Sequence, residues 1–244
     1  MRILVFSAHC ADFCSRAGGT IAKHARNGDE VRVVALTFGE RSESGGLYAD
    51  GTRPTLADVK AVRREEAERA AAILGAGITF LGWEDLRFDY SQERVISLAE
   101  EIRAFRPDVI LTHHGPDPCS VDHDTCSRLV MRASQIAGAA GLESAHSPAR
   151  GAPVFFFEAT IPLTELEGFN PDFYVNITDV WESKLAALRA FERGQGFLAS
   201  WYTDQAKLRA FQARRLTGRS DILYAEAFER TSPWVGERLP LNEG

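Results

Sequence analysis

The 244-residue sequence lacks a long apolar run, an excess of positive charge and a dense cysteine pattern. Its first apolar stretch, Ile3 to Phe6 and on to Ala8, is broken by His9. That is too short for a membrane span, which needs about 20 apolar residues, and it does not have the pattern of a secretory signal. Lys and Arg number 28 against 34 Asp and Glu, a net charge of −6. The balance argues against nucleic-acid or anionic-membrane binding, because both select a basic face. The cysteines are four, Cys10, Cys14, Cys119 and Cys126. In a chain of this size without a signal they read as reduced thiols and point to the cytoplasm. No repeat, low-complexity tract or charge block divides the chain. The absences leave a soluble protein with one domain over 1–244, and no function.

What is present is an alternation of strand and helix patterns. Arg2–Ser7 (RILVFS) reads as a buried strand, followed by a Gly18-Gly19 break and a helix to about Arg26. Val31–Thr37 is β-branched and apolar, a second strand, and residues 39–56 form a long Gly-rich loop. Ala57–Leu74 repeats apolar residues near helical spacing and stops at Gly75. Ile78–Leu81, Val109–Thr112, Val154–Glu158, Phe173–Ile177 and Tyr224–Phe228 read as further strands. Helices fall over Gln92–Phe105, about 124–140, 180–192 and 201–216. The pattern predicts an α/β fold: a Rossmann-like, mainly parallel sheet with helices on both faces and a helical C-terminal part.

In such sheets the site lies beyond the carboxyl ends of the strands. The first strand leads into Ala8-His9-Cys10-Ala11-Asp12, the second into Gly39-Glu40-Arg41-Ser42-Glu43, and the fourth into His113-His114 and on to Asp122-His123. His9 and Asp12 can face one point from a turn, with His123 reaching it from the neighbouring crossover. A His-Asp-His set leaves positions open, as a catalytic zinc or a similar divalent ion requires. Each element alone has a plainer explanation. A His after a strand is commonly a hydrogen-bonded loop residue, and an Asp-His pair opening a helix also caps it.

The segment SAHCADF resembles the AHPDDE signature of the PIG-L/LmbE superfamily of zinc-dependent enzymes. The TFGE loop, Arg63-x-x-Glu66 leading into an alanine-rich helix, Asp122-His123, the late segment with Lys184 and YAEAF near the C-terminus agree with it over nearly the whole chain. The resemblance implies zinc ligands at His9, Asp12 and His123, with Asp122 behind the metal, and a homo-oligomer. Most members are N-deacetylases of amino sugars. Their signature Asp, the general base, is Ala11 here, and the His that helps stabilise the oxyanion is Ser120. Such losses typically lower rates by ~10²–10⁴-fold and about 10²–10³-fold.

AHCADFCSRAGGTIA followed by TFGERSES is similar to a hydratase branch of the superfamily. That branch adds water across a double bond conjugated to a carbonyl, in gallate and protocatechuate breakdown. The resemblance implies a zinc-dependent hydratase acting on a small anionic oxo-polycarboxylate; the alternative is a zinc-dependent N-deacetylase. With Ala11 inert, the candidates for proton transfer are Glu40, Glu43 and Asp122, with the two glutamates favoured. Arg16, Arg41 and Arg63 are candidates for the substrate carboxylates, which Arg forks match well; Arg64 is as readily a surface salt bridge. The spacing of the cysteines does not form paired zinc knuckles, so they read as buried small residues near the site. His24 and His146 read as structural or solvated, and one of His113 and His114 as lining the pocket.

Overall fold

The computed structural model describes the chain except residues 50, 52, 159, 161–165, 167, 234 and 236–244. Its strands are β1 (Arg2–Ser7), β2 (Glu30–Thr37), β3 (Gly77–Trp83), β4 (Val109–His113), β5 (Val154–Phe157), β6 (Phe173–Asn176) and β7 (Ala225–Arg230). The helices are α1 (Asp12–Arg26), α2 (Leu56–Leu74), α3 (Gln92–Phe105), α4 (Val121–Ala137), α5 (Trp181–Arg189), α6 (Glu192–Gln195) and α7 (Leu198–Thr217). One seven-stranded sheet runs in the order β3-β2-β1-β4-β5-β7-β6. The first five are parallel, while β7 is antiparallel to both β5 and β6.

Strand side chains alternate between faces with a period of two, and the apolar sequence is divided accordingly. Ile3, Val5, Val31 and Val33 pack with α1, α2 and α5 on one face. Leu4, Phe6, Val34 and Leu36 meet α3 and α4 on the other. Fully burying each such side chain contributes about 1.5–3 kcal/mol. Because both faces are covered, β1, β2 and β4 read as continuous apolar runs rather than as alternating ones.

Two differences from the expected boundaries bear on the site. Gly18-Gly19 does not break the chain before a helix; α1 begins at Asp12 and runs through both glycines. A Cβ on Gly19 would lie 2.7 Å from the Ile177 side chain, so glycine is there for close packing. The amides of Gly19 and Thr20 donate to the buried Glu226 carboxylate at 2.8 and 2.7 Å, and Lys184 Nζ donates to the same carboxylate at 2.6 Å. The second difference is α4, which starts at Val121 because the Ser120 hydroxyl caps it, accepting from the His123 amide at 3.4 Å. This puts Asp122 and His123 in its first turn. The last helical region is split into α5, α6 and α7; α7 packs on β7 and β6, and Arg209 Nη2 ties it to Glu158 Oε2, just beyond β5, at 2.5 Å.

Candidate metal centre and active site

Strand order reverses between β1, followed in the sheet by β2 and β3, and β4, followed by β5. Ligands of open α/β sheets bind at such a switch point. Here the chain leaving β1 supplies His9 and Asp12, and the chain leaving β4 supplies His113 and, after the crossover, His123. The loop after β2 supplies Glu43. One donor atom each of His9, Asp12, Glu43 and His123 lies within 4.8 Å of the others.

The distances show how the group converges. His9 Nδ1 lies 3.4 Å from Asp12 Oδ2, 3.3 Å from Glu43 Oε1 and 3.2 Å from His123 Nε2. His123 Nε2 is 3.5 Å from Asp12 Oδ2. The outward nitrogen of each ring is fixed by a carboxylate: His9 Nε2 by Asp122 Oδ2 at 3.1 Å, and His123 Nδ1 by Asp117 Oδ2 at 2.7 Å. Carboxylates behind ligating histidines set the tautomer and ring orientation in metal sites. Asp117 is itself held by the Cys119 and Thr160 amides and the Thr160 hydroxyl. Asp122 also accepts from the Leu86 amide at 2.8 Å.

The loop that presents Glu43 is built by local constraints. Gly39 has φ +64°, and a Cβ there would stand 3.0 Å from Glu43 Cβ and 3.4 Å from His9 Cβ, so glycine allows both the turn and the approach. The buried Asp85 carboxylate accepts the amides of Arg41 and Ser42, and Ser44 Oγ donates to the Gly39 carbonyl at 2.7 Å. Among the described residues, Glu43 Oε2 is buried without a hydrogen-bond partner.

Electrostatics fit a cation at this point. Burial disfavours the His9 cation, but the Glu43 charge and the hydrogen bonds to Asp12 and Asp122 outweigh it and raise its pKa well above the ordinary imidazole value. Burial opposes ionisation of Asp12, yet His123, Arg16 and His113 hold its carboxyl well below the usual range. Glu43 is lowered too: burial opposes ionisation, and the His9 charge more than compensates. Ionised carboxylates therefore draw a proton into the cluster when no other cation is there. Two imidazoles with carboxylate oxygens form the mixed N/O set that suits zinc among common divalent ions.

The remaining sequence candidates fall in different places. Arg16, 5% exposed, points at the cluster: Nη2 is 3.5 Å from Asp12 Oδ1, Nη1 donates to the Tyr202 hydroxyl, and Nε is buried without a partner among the described residues. Glu40, three residues before Glu43, is fully buried with Oε1 3.1 Å from Lys60 Nζ. Arg41 reaches away to Glu84 Oε2 at 3.0 Å. Arg63 is buried and committed at every end: to the Phe38 carbonyl, to Glu66 Oε2 at 2.8 Å and to Gln195 Oε1 at 2.6 Å. The structure thus brings His9, Asp12, Glu43, His123 and Arg16 together, sets Asp122 behind His9, and leaves Glu40, Arg41 and Arg63 with other partners.

A pocket of about 110 Å³ opens from the cluster, lined by Ala11, Asp12, Ser15, Arg16, Glu43, Thr160, Gln195, Phe197, Leu198, Trp201 and Tyr202. The sequence marked no role for Asp117, Gln195 or Tyr202. Asp117 was visible only as an acid in the run after β4; Gln195 and Tyr202 carry no motif and arrive through α6 and α7. His113, wholly buried, stacks on His123 with ring centroids 4.2 Å apart, and its Nε2 accepts from the Ala8 amide at 3.0 Å. Burial, with the His123 charge, pushes its pKa down to about 3. His114 instead meets Glu229, 3.5 Å away. The cysteines stay outside the donor set: Cys10 Sγ donates to the Phe38 carbonyl at 3.0 Å, Cys14 is on the buried side of α1, Cys126 contacts Thr112 and Cys119 is exposed.

A parallel-sheet switch point carrying a His-Asp-His group is the architecture of a metal-dependent α/β enzyme family. Residues 4–134 match PIG-L, described as GlcNAc-PI de-N-acetylase, and the chain belongs to that family. Within it, the chain is 40% identical over 239 residues to the 4-oxalmesaconate hydratase of Pseudomonas putida, covering 97% of this chain and 91% of that protein. The crystal structure of GalB, the 4-carboxy-2-hydroxymuconate hydratase from the same species, superposes with a TM-score of 0.91 at 39% identity over 98% of this chain and 99% of the other. Diacetylchitobiose deacetylase of Thermococcus kodakarensis is 28% identical over 197 residues, 78% of this chain and 69% of the relative.

Proposed function

We propose that this protein is a zinc-dependent hydratase that adds water to a conjugated oxo-polycarboxylate, with 4-oxalomesaconate of gallate and protocatechuate catabolism as the substrate to test. The observation that carries the reading is the exchange of acids around the cluster: position 11 holds an alanine, while Glu43 brings a carboxylate from the loop after β2 to within 3.3 Å of His9. The full-length similarity, in sequence and in fold, to hydratase of Pseudomonas putida supports it.

His9, Asp12 and His123 would hold the ion, with Asp122 and Asp117 orienting the two rings. A bound zinc would polarise a substrate oxygen and make water more acidic. Glu43, ionised and with one oxygen unpartnered among the described residues, accepts the proton from attacking water. As the new C–O bond forms at the β carbon, the π electrons move toward the conjugated carbonyl, and the protonated Glu43 returns its proton at the α carbon. Water is consumed whole and no leaving group needs a proton, so one acid/base group suffices. Arg16 binds a substrate carboxylate from the α1 side of the pocket. Amide hydrolysis would need further help, and Ser120, occupied as the cap of α4, replaces the histidine expected in the deacetylases.

The same reading takes 1–244 as one domain, supported by a single sheet that runs from Arg2 to Arg230. It also takes the protein as cytoplasmic and homo-oligomeric; light scattering of the purified protein tests the oligomer, and cell fractionation tests the location. Among the described residues no helix is long and apolar enough to cross a membrane. The activity is tested by following loss of the conjugated absorbance of 4-oxalomesaconate with zinc-loaded protein. Turnover that falls by about 10²–10⁴-fold in Glu43→Gln is expected. Absence of turnover in the wild type, or release of acetate from N-acetylglucosaminyl substrates instead, refutes the proposal.

A further inference from the structure

Gln195 ends the four-residue helix α6 and is 7% exposed, on the wall of the pocket that also holds Asp12, Arg16 and Glu43. Its amide oxygen accepts from Arg63 Nη2 at 2.6 Å. A guanidinium has donors and no acceptor, so only the oxygen of the amide can face it, and the direction of the side chain is fixed by chemistry. Arg63 cannot swing away to release it. Its Nη1 donates to Glu66 Oε2 at 2.8 Å, Nε donates to the Phe38 carbonyl at 3.3 Å, and the plane lies over the Phe191 ring at 5.0 Å. Glu66 is pinned in turn by the Gly194 amide at 3.2 Å. The Gln195 amide nitrogen, with two N–H groups, takes no acceptor among the described residues.

We infer that Gln195 is a substrate-binding, specificity-determining residue: its amide nitrogen, turned to the pocket by Arg63, donates to a carboxylate or carbonyl oxygen of the substrate. The inference rests on the hydratase reading for the identity of that substrate. It gives Arg63 an indirect role, because this arginine touches no ligand and sets which end of the amide a ligand meets. A fixed donor selects for an acceptor at that position. A ligand presenting an N–H there would leave two donors opposed and unpaired, which is more disfavoured than the loss of one hydrogen bond. The donor is neutral, so it adds recognition of an oxygen without another buried charge beside Arg16.

Gln195→Glu separates recognition from structure. The carboxylate keeps an acceptor for Arg63 Nη2, so the strut and the unfolding midpoint are retained, while the N–H donors are replaced by oxygen. Expected for 4-oxalomesaconate is a KM raised about 10- to 100-fold, the range of a hydrogen bond to a charged acceptor, with kcat changed less than about three-fold. Gln195→Met, which removes the acceptor as well, should raise KM similarly and also lower the midpoint. Binding of propane-1,2,3-tricarboxylate to the zinc-loaded proteins, measured by calorimetry, should weaken in Gln195→Glu by a like factor. If KM and tricarboxylate affinity in that variant stay within about two-fold of wild type, or if both variants lose affinity only in proportion to lost stability, the inference is overturned. If the wild type binds the tricarboxylate but turns over no oxalomesaconate, the hydratase reading fails, and the calorimetric comparison still decides the role of Gln195.

Discussion

Lys184 and Glu226 make a buried pair behind the pocket wall, with Lys184 Nζ 5.9 Å from the centre of the Tyr202 ring, and their removal should show a reversal of sign. Lys184 is 2% exposed and Glu226 is 3% exposed, with Nζ and Oε1 2.6 Å apart. At an effective dielectric constant near 20 their attraction is about 6 kcal/mol, most of it offset by the desolvation of both ions. Removing one partner leaves an uncompensated buried charge, which destabilises by roughly 3–5 kcal/mol. A domain's whole stability is about 5–15 kcal/mol, so Lys184→Met alone should lower the urea midpoint substantially. In a Glu226→Gln background the same Lys184→Met change removes an unpaired ammonium. It should then be neutral or stabilising. The double variant keeps a side-chain oxygen for one of the Gly19 and Thr20 amides and leaves the other unpaired, about 1–3 kcal/mol. The four proteins form a double-mutant cycle in urea denaturation, and a coupling of about 3 kcal/mol or more is expected. Equal effects of Lys184→Met in both backgrounds would refute the reasoning. The pair also matters to the site: it grips α1 at Gly19, seven residues or about 10 Å of helix rise from Asp12. Folded Lys184→Met should therefore bind zinc more weakly even though no ligand is changed.

Asp117→Asn and Asp122→Asn each loosen one imidazole, so each should weaken zinc affinity about 10–100-fold in chelator competition; unchanged affinity would mean that the carboxylates do not orient the rings. The His9 pKa is raised well above the ordinary imidazole value, about 6.5, in the metal-free fold. Its stabilising contribution is therefore full below pH 6.5, the unfolded value, and is lost as pH rises through the higher folded value. Zinc must displace that proton, so the metal-free protein should lose stability, and zinc affinity should rise, over the same interval above pH 6.5; thermal melts and zinc titrations across it check both. Burial pushes the Cys10 and Cys126 thiols up to about 12, and Cys14 higher, whereas Cys119 is exposed. Iodoacetamide at pH 8 should label Cys119 and leave the other three intact by mass spectrometry; labelling of Cys10 would contradict the packing.

Strands and long helices were legible because their apolar periods are set locally by burial on one or two faces of the sheet. The start of α1 was not, since Gly18-Gly19 resembles a break until Ile177 and Glu226, more than 150 residues away, are packed against it. His9, Asp12 and His123 could be grouped from sequence because each follows a strand that ends at the switch point. Glu40 and Glu43 were indistinguishable there; the turn at Gly39 sends Glu43 to His9, and Lys60 from α2 captures Glu40. For Arg63 the sequence left two readings, a substrate carboxylate or a pairing with Glu66 one turn on; the structure makes the pairing, and Gln195 from α6 takes a further donor. Asp117 could not be assigned without the path from β4 into α4, which folds an acid six residues upstream back onto His123.

An acidic pocket for an anionic substrate raises a problem of charge that the geometry resolves. Asp12 and Glu43 face the pocket as ionised groups, and Arg16 is the cation that lines it with them. Arg16 is already partly compensated by Asp12 at 3.5 Å. A polycarboxylate entering that field meets net repulsion, strengthened by a low local dielectric. A divalent ion among the donors reverses the sign of the local field and leaves Arg16 and a neutral amide to sort the oxygens. Anion affinity and metal affinity are then linked, each raising the other by the same factor. The overall charge of −6 is no obstacle, because beyond about 8 Å at physiological salt the exterior carboxylates are largely screened. Selection for an anion is set by the few groups inside that radius.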